Sequence, residues 1–239
     1  MLKVTNISAG YGKLQILSDI SIEASVGKLT VIVGPNGSGK STLLKTISGV
    51  TRVYTGTISL DDRDLTHLPP HVIAKSGVAY LPQTESTFPL LTVEENLKMA
   101  GITVRHEDFD ARLSRALEMF PQLNTYMKNK VSNLSGGERQ MVAMCMALVR
   151  KPKVIMFDEP TSNLSPKLQT EVLNKVATLT KEMELIALLV EQNARKALDI
   201  GDNAYLLVGG RKAFEGRAHD LLAHQELAKL YLGLKVAEV

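Results

Sequence analysis

The sequence predicts an α/β fold in which a phosphate-binding core carries an antiparallel β layer and an inserted helical subdomain. The core is indicated by the apolar, β-branched run Val31–Val33, which is followed by a glycine-rich loop and a helix over Ser41–Ser48. Strand patterns over Leu2–Ile7 and Ile20–Ala24 indicate the antiparallel layer. A change to helical periodicity between residues 84 and 134 indicates the helical subdomain.

The remaining elements follow from the same patterns. Further strands are expected over Thr57–Leu60, Gly77–Leu81, Val154–Phe157 and Ile186–Val190, and a hairpin turning at Gly209-Gly210 joins Ala204–Val208 to Lys212–Glu215. Helices are expected over Val93–Ala100, along the apolar face of Phe109, Leu113, Leu117 and Phe120, over Met141–Val149 and over Ala218–Leu232. We therefore expect a single unit over 1–239, with the core and β layer at 1–83 and 141–239 and the helical subdomain at 84–140.

The glycine-rich loop has the residue types that a phosphate cradle needs. Backbone N–H groups approach phosphate oxygens closely only where no Cβ intervenes, and the glycines remove it. The following helix contributes its free N–H groups and its positive dipole end, Lys40 adds a charge for the outer phosphates, and Ser41 offers a hydroxyl to Mg²⁺. The alternative, a glycine-rich turn that binds nothing, is disfavoured by the flanking strand and helix. The candidate nucleotide-binding residues here are Gly34, Pro35, Asn36, Gly37, Ser38, Gly39, Lys40, Ser41 and Thr42.

Polar residues follow three of the predicted strands. Asp158 and Glu159 end an apolar strand, where a carboxylate pair is costly unless it has partners or a role. Asp158 suits coordination of Mg²⁺ through water, and Glu159 suits polarising an attacking water. Alternatively, helix N-termini satisfy both carboxylates. Gln83 and Gln192 follow two other strands, at the termini where α/β sheets place their sites.

Two features lie outside this cradle. Tyr11 stands in the predicted turn Gly10–Gly12, either as a solvated turn residue or as a platform for a purine ring. Ser135 is a good helix cap, and Gly136 and Gly137 leave the first N–H groups of that helix bare, which makes a second anion site. That site either serves the nucleotide of a neighbouring copy or is a capped helix with glycines for tight packing.

Composition excludes several classes of protein. The chain has 239 residues with 44% hydrophobic content, enough for a large core, and a net charge of +3 with interspersed signs gives no nucleic-acid footprint. The single Cys145 is expected to be a buried, inert thiol in a reducing cytoplasm. No apolar run approaches the roughly 20 residues that a bilayer requires, and the strand pattern from Met1 argues against a cleavable targeting sequence. The five histidines do not cluster, so we expect no metal site built from side chains alone.

Together these motifs resemble the ATP-binding cassette, the nucleotide-hydrolysing subunit of ABC transporters, over essentially the whole length. Gly34–Ser41 is similar to the Walker A loop and Val154–Asp158 to the Walker B strand of P-loop NTPases. Leu134–Gln140 (LSGGERQ) is similar to the signature sequence that this family alone carries among P-loop proteins. The resemblance implies the ABC ATPase architecture, ATP hydrolysis, and ATP and Mg²⁺ as cofactors.

The resemblance also implies roles for individual residues. Tyr11 matches the aromatic residue that stacks on adenine, Gln83 the glutamine that senses Mg²⁺ and the attacking water, and Glu159 the catalytic carboxylate. The implied catalytic residues are Glu159, Lys40, Gln83 and Gln192, and the implied Mg²⁺ ligands are Ser41, Gln83 and Asp158. Ser135, Gly136 and Gly137 match the element that closes over ATP held by the opposite subunit.

Two positions depart from the family pattern. Gln192 stands where most members carry a switch histidine, and Ser162–Ser165 replaces the usual Ser-Ala-Leu-Asp. A glutamine amide still donates to a γ-phosphate, but without a positive charge and independently of protonation near neutral pH. The run Leu189–Ala194 is similar to the second ATPase subunit of importers for branched-chain amino acids, and Phe88–Leu97 and Tyr231–Gly233 point the same way.

This branch implies a set of partners. We expect a second ATPase subunit, in a homodimer or heterodimer, under permease subunits at the cytoplasmic face of the membrane, with an external substrate-binding protein. No nucleic acid and no direct membrane insertion are expected. The alternatives are an ATPase of a urea or amide importer or of another ABC system, a soluble ATPase of translation or DNA repair, and a regulatory subunit without turnover. One cassette without a coiled-coil insertion argues against the soluble ATPase, and Glu159 argues against the regulatory subunit.

Overall fold

Two β-sheets pack against each other, and most of the helices cover the free face of the larger sheet. The computed structural model describes residues 1–84, 86–102, 104–224, 226–227 and 231. The strands are β1 (Leu2–Tyr11), β2 (Leu14–Ala24), β3 (Leu29–Val33), β4 (Arg52–Leu60), β5 (Arg63–Asp64), β6 (Val78–Leu81), β7 (Val154–Asp158), β8 (Ile186–Val190), β9 (Asn203–Val208) and β10 (Arg211–Arg217). The helices are α1 (Lys40–Ile47), α2 (Pro70–Lys75), α3 (Val93–Ala100), α4 (His106–Met119), α5 (Gly136–Val149), α6 (Pro166–Glu182), α7 (Ala194–Ile200) and α8 (Ala218–Ala223), with 3₁₀ turns at Pro121–Tyr126 and Val131–Asn133.

The larger sheet has the order β10-β9-β3-β8-β7-β6, and the smaller antiparallel sheet has the order β2-β1-β4-β5. Strands β9, β3, β8, β7 and β6 are parallel, and β10 pairs antiparallel at one edge. This arrangement confirms the predicted α/β core with an antiparallel layer.

The central strands are buried on both faces, which explains their unbroken apolar sequences. In β3, Val31 and Val33 pack with the helices on one side, whereas Ile32 packs with α1 and the antiparallel sheet on the other. Side chains alternate in the same way along β7 and β8. The larger sheet therefore lies between two hydrophobic cores, one shared with the helices and one shared with α1 and the antiparallel sheet, and packing on both faces fixes its position.

The antiparallel layer is more extensive than the sequence pattern predicts. Strand β1 continues to Tyr11, β2 begins at Leu14, and the turn lies at Gly12 and Lys13, so the predicted turn at Gly10–Gly12 is wrong. The register between β1 and β2 shifts at several points, and Asn6 has φ 50°. Such bulges break the alternation of polar and apolar residues on which a sequence prediction depends. Tyr11 is consequently a strand residue at the sheet end.

The helical subdomain follows the prediction closely at α3. The Thr92 hydroxyl accepts from the Glu95 N–H, and the Glu95 carboxylate accepts from the Thr92 N–H, so a capping box defines the start of the helix. Helix α5 begins at Gly136, five residues before the predicted Met141. The expected division between residues 140 and 141 therefore falls inside a continuous helix that packs with α3, α4 and the sheet.

The last part of the chain is described only in part. The β9–β10 hairpin turns at Gly209 and Gly210 as predicted. Of the expected helix Ala218–Leu232, the structure shows α8 and helical residues 226, 227 and 231, and the rest lies outside the described residues. Within the described residues, no helix is both long enough and apolar enough to cross a membrane.

Candidate nucleotide-binding site

The site residues meet because four parallel strands end at one edge of the larger sheet. Ile32 pairs with Val190, Val190 with Asp158, and Phe157 with Leu81, so the ends of β3, β8, β7 and β6 are level. The glycine-rich loop, Gln192, Glu159 and Gln83 follow these ends directly. Within the described residues, only three charged side chains are buried, Lys40, Asp158 and Glu191, and all three lie at this edge.

The glycine-rich loop is held in a conformation that other residues resist. Gly34 has φ 148°, and a Cβ there would lie 2.1 Å from the Leu207 carbonyl oxygen. Gly39, with φ 98°, occupies the N-cap position of α1. The Gly210 N–H donates to the Ser38 carbonyl (3.1 Å), so the β9–β10 turn supports the loop from below. The loop is therefore a preformed cradle in front of α1.

Lys40 places a buried cation across this cradle. Its Nζ donates to the carbonyl oxygens of Gly34 (2.9 Å) and Pro35 (3.0 Å), and the residue is only 5% exposed. Burial lowers the pKa of Lys40 below its usual value, and the nearby carboxylates of Glu159 and Asp158 oppose this shift only in part. Beside it, the buried Ser38 Oγ has no hydrogen-bond partner among the described residues. A buried cation, an unpaired hydroxyl and a helix N-terminus together fit the phosphate groups of a nucleotide.

Asp158 accepts two side-chain hydrogen bonds, and one comes from a residue that the sequence patterns did not single out. Its Oδ1 accepts from Ser41 Oγ and its Oδ2 from the Tyr80 hydroxyl, both at 2.8 Å. Burial and the Asp158 charge raise the pKa of Tyr80 well above its usual value, so the phenol remains a neutral donor.

This oxygen pair fits Mg²⁺. Ser41 and Asp158 present hard oxygen ligands side by side, next to the phosphate cradle. In the described part of the chain, no group of three or more His, Cys, Asp or Glu residues could hold a metal ion. That agrees with the usual Mg²⁺ site, which takes one or two side chains and completes its octahedron with phosphate oxygens and water.

Glu159 lies beside both glutamines. Gln83 Nε2 donates to Glu159 Oε2 (3.0 Å), and Glu159 has a left-handed backbone with φ 49°. Gln192 is exposed and lines the same open cleft of about 370 Å³ as Gln83 and Glu159. Six predicted catalytic or metal-binding residues thus form one site: Lys40, Ser41, Gln83, Asp158, Glu159 and Gln192.

Tyr11 and the Ser135 helix end form no hydrogen bond with this cluster among the described residues. Tyr11 is 44% exposed, and no hydrogen bond among the described residues joins it or Ser135 to the glycine-rich loop. Ser135 is exposed and forms a capping box with Glu138. Gly136 and Gly137 pack tightly, because a Cβ at Gly136 would lie 2.5 Å from Leu164 Cδ2 and one at Gly137 would lie 3.3 Å from Leu168 Cδ2. The N–H groups of these glycines have no acceptor within their own helix and are positioned at its open end.

Three features together define the ATP-binding cassette class. They are a phosphate cradle on a parallel sheet, an antiparallel layer, and a helical subdomain whose last helix starts within the sequence LSGGERQ. The family model described as ABC transporter matches residues 17–162. The chain belongs to this family and is an ABC-type ATPase that binds nucleotide.

Two relatives from Archaeoglobus fulgidus are described as probable branched-chain amino acid transport ATP-binding proteins. The chain is 50% identical to the first, LivF, over 98% of this chain and 99% of the relative. It is 29% identical to the second, LivG, over 100% of this chain and 98% of the relative. The chain is thus much more similar to one of these two ATP-binding proteins than to the other.

Solved structures agree with this fold. The ADP conformation of an ATP-binding cassette of an ABC transporter has a TM-score of 0.86 at 28% identity and covers 96% of this chain and 97% of its own. A dimeric post-hydrolysis state of an ATP-binding cassette with ADP and phosphate bound has a TM-score of 0.77 at 25% identity, over 91% of this chain and 99% of its own.

Proposed function

We propose that this chain is the ATP-hydrolysing subunit of an importer for branched-chain or related amino acids. The observation that carries the ATPase part is the cluster of Lys40, the Ser41–Asp158 pair and the Gln83–Glu159 pair at one sheet edge. Support for the substrate class comes from the 50% identity to the LivF protein over nearly the whole chain. The higher similarity to LivF than to LivG favours the second-subunit type.

The proposed chemistry is mainly positioning and electrostatics. Lys40 and the loop N–H groups hold the phosphate charge. Ser41 and Asp158 would hold Mg²⁺, which would supply positive charge to the phosphoryl group during its transfer. Glu159 orients the attacking water, and Gln83, bonded to it, keeps its carboxylate aimed at that position. Gln192 contributes an uncharged donor to the γ-phosphate.

The second half of the site comes, in this proposal, from another subunit. Gly136 and Gly137 offer N–H groups that have no acceptor in their own helix, Ser135 offers its hydroxyl, and Tyr11 offers an exposed ring for adenine. The dimeric cassette with ADP and phosphate bound supports such pairing. ATP then holds two subunits together and hydrolysis releases them, a two-state change that can act on a membrane partner.

An apolar groove offers a place for the permease. Phe88, Met99 and Ile102 line a cleft of about 300 Å³ that is also bordered by strand β6 and helix α5, and they are 47%, 41% and 76% exposed. Exposed apolar side chains grouped in this way are typical of an interaction surface. We propose that a cytoplasmic segment of a permease subunit binds here, which places the chain peripherally at the cytoplasmic face, with an external binding protein delivering the substrate.

Glu159→Gln tests the ATPase mechanism. The amide keeps the size of the side chain but cannot polarise water, so the variant should bind Mg-ATP, turn over at least about a hundredfold more slowly and accumulate as an ATP-bound dimer. Size-exclusion chromatography with and without Mg-ATP measures the dimer, and Lys40→Ala is the matched control because it should lose nucleotide retention. A Glu159→Gln protein that stays monomeric with bound ATP would contradict the shared site.

The same preparation separates the alternatives. Phosphate release by the purified wild-type protein distinguishes an ATPase from a regulatory subunit without turnover. Copurification from native membranes identifies the permease subunits and distinguishes amino acid from urea or amide import. Recovery of ribosomal or DNA-repair proteins instead of permeases would favour the soluble ATPase.

A further inference from the structure

Glu191 is a buried carboxylate that the proposed mechanism does not use. It directly follows β8 and is only 3% exposed. The proposed function assigns the other two buried charges in the described residues, Lys40 and Asp158, to phosphate and Mg²⁺ binding. A buried charge requires compensating hydrogen bonds, so the partners of Glu191 indicate what it does.

The two carboxylate oxygens of Glu191 accept hydrogen bonds from backbone N–H groups in two different loops. Oε1 accepts from the N–H of Thr161 (3.0 Å), in the loop after β7, and Oε2 accepts from the N–H of Gln192 (3.1 Å), in the loop after β8. Burial raises the pKa of Glu191, and the hydrogen bonds from Thr161 oppose that shift. The carboxylate is therefore a bridge between the loops that carry Glu159 and Gln192.

The Glu159 backbone needs such support. Its φ of 49° is disfavoured for a residue with a Cβ, so the surrounding contacts must hold this conformation. The Glu159 N–H donates to the Val190 carbonyl (2.9 Å), and the Ser162 N–H donates to the Glu159 carbonyl (3.1 Å). Thr161 lies inside that second turn, so binding its N–H fixes the chain immediately after Glu159.

We propose that Glu191 is a positioning residue that holds the Glu159 carboxylate in its reactive place by clamping the Thr161 and Gln192 amides. This rests on the proposed function, in which Glu159 orients water. The role requires two acceptor oxygens on one side chain. Glutamine supplies only one and would turn its NH₂ group towards the other N–H donor.

Three variants test the clamp: Glu191→Gln, Glu191→Asp and the control Glu182→Gln, an exposed residue at the end of α6. Glu191→Gln should lower the kcat for ATP by roughly tenfold or more and change KM less than about twofold, because binding groups stay in place while the water-orienting group shifts. Glu191→Asp keeps both oxygens and should recover part of the loss. Glu182→Gln should match the wild type.

Two further measurements separate positioning from general stability. Amide hydrogen exchange of folded protein should accelerate at Thr161, at Gln192 or at both in Glu191→Gln, because glutamine keeps only one acceptor oxygen, and remain unchanged in the β3 and β7 amides. In the Glu159→Gln background, Glu191→Gln should lower turnover no further, because both changes act on the same step.

The possible failures are distinguishable. Unchanged exchange at both Thr161 and Gln192, a KM change without a kcat change, or additive losses in the double variant would each overturn the role of Glu191. If wild-type protein binds ATP but releases no phosphate, the proposed function fails, and the exchange measurement still decides whether the clamp exists.

Discussion

Removing the Tyr80 hydroxyl tests how Asp158 is held. Tyr80→Phe deletes the 2.8 Å hydrogen bond to Asp158 Oδ2 and leaves the ring in place. In this variant Asp158 keeps one side-chain hydrogen bond, the bond from Ser41 to its Oδ1. Its Oδ2 loses a donor, and because Asp158 is only 4% exposed, water replaces that donor poorly. Hydrogen bonds to charged groups contribute about 1.5–3 kcal/mol, and Tyr80 is half-buried, so we expect a loss of about 1.5 kcal/mol in the free energy of unfolding.

Urea denaturation measures this loss as a lower midpoint with an unchanged slope. The control is Tyr54→Phe, which removes solvent-exposed hydrogen bonds from a hydroxyl to the uncharged carbonyl oxygens of Gly12 and Leu14 and should cost less than about 0.5 kcal/mol. The pKa of Tyr80 is raised, so its contribution is fully present below the unfolded-state pKa near 10 and is lost only as pH rises above it. Equal losses in the two variants, or a loss that disappears between about pH 6 and about pH 9, would refute the reasoning.

Two further predictions concern the loop and the core. Gly34→Ala should lower the free energy of unfolding by roughly 2 kcal/mol or more, because its Cβ would collide with the Leu207 carbonyl. Gly37→Ala, where φ is 76° and a Cβ meets nothing within 4 Å, should cost roughly 1 kcal/mol in the same denaturation assay, and equal losses would contradict the collision. The Cys145 thiol is fully buried with a pKa raised to about 12, so a disulfide reagent at neutral pH should label it only in urea, and rapid labelling of the native protein would contradict its place in the core.

Sequence patterns predicted the parts of the fold that local physics determines. The strands β7 and β8 were predicted to within one residue, because each is a fully apolar run that ends abruptly in charged or amide residues. Helix α3 was predicted at both ends, Val93 and Ala100, from its helical periodicity, and the structure adds the capping box of Thr92 and Glu95 at its start. The polar residues that follow these strands were therefore placed correctly at the sheet edge.

The rest depended on contacts between distant segments. The bulges in β1 are set by pairing with β2 and β4, and no local pattern shows them. The bond from Tyr80 to Asp158 joins residues 78 apart in sequence, and the Glu191 bond to Thr161 joins residues 30 apart. Tyr80 is a half-buried aromatic residue in a strand, which by itself is typical of ordinary packing.

The loop after β7 packs against Gly136 at the start of α5, a helix end that the sequence suggested either binds an anion or only packs tightly. Thr161 is held by Glu191 at one end of this loop, and three residues later Leu164 lies where a Gly136 Cβ would be, with its N–H bonded to the Thr161 carbonyl (3.2 Å). The missing Cβ therefore lets Leu164 pack against the helix end. The N–H of Gly136 still has no acceptor in its own helix, so this packing is compatible with the proposed anion site. In the dimer proposed above, Leu164 is the residue through which this helix end contacts the loop that follows Glu159.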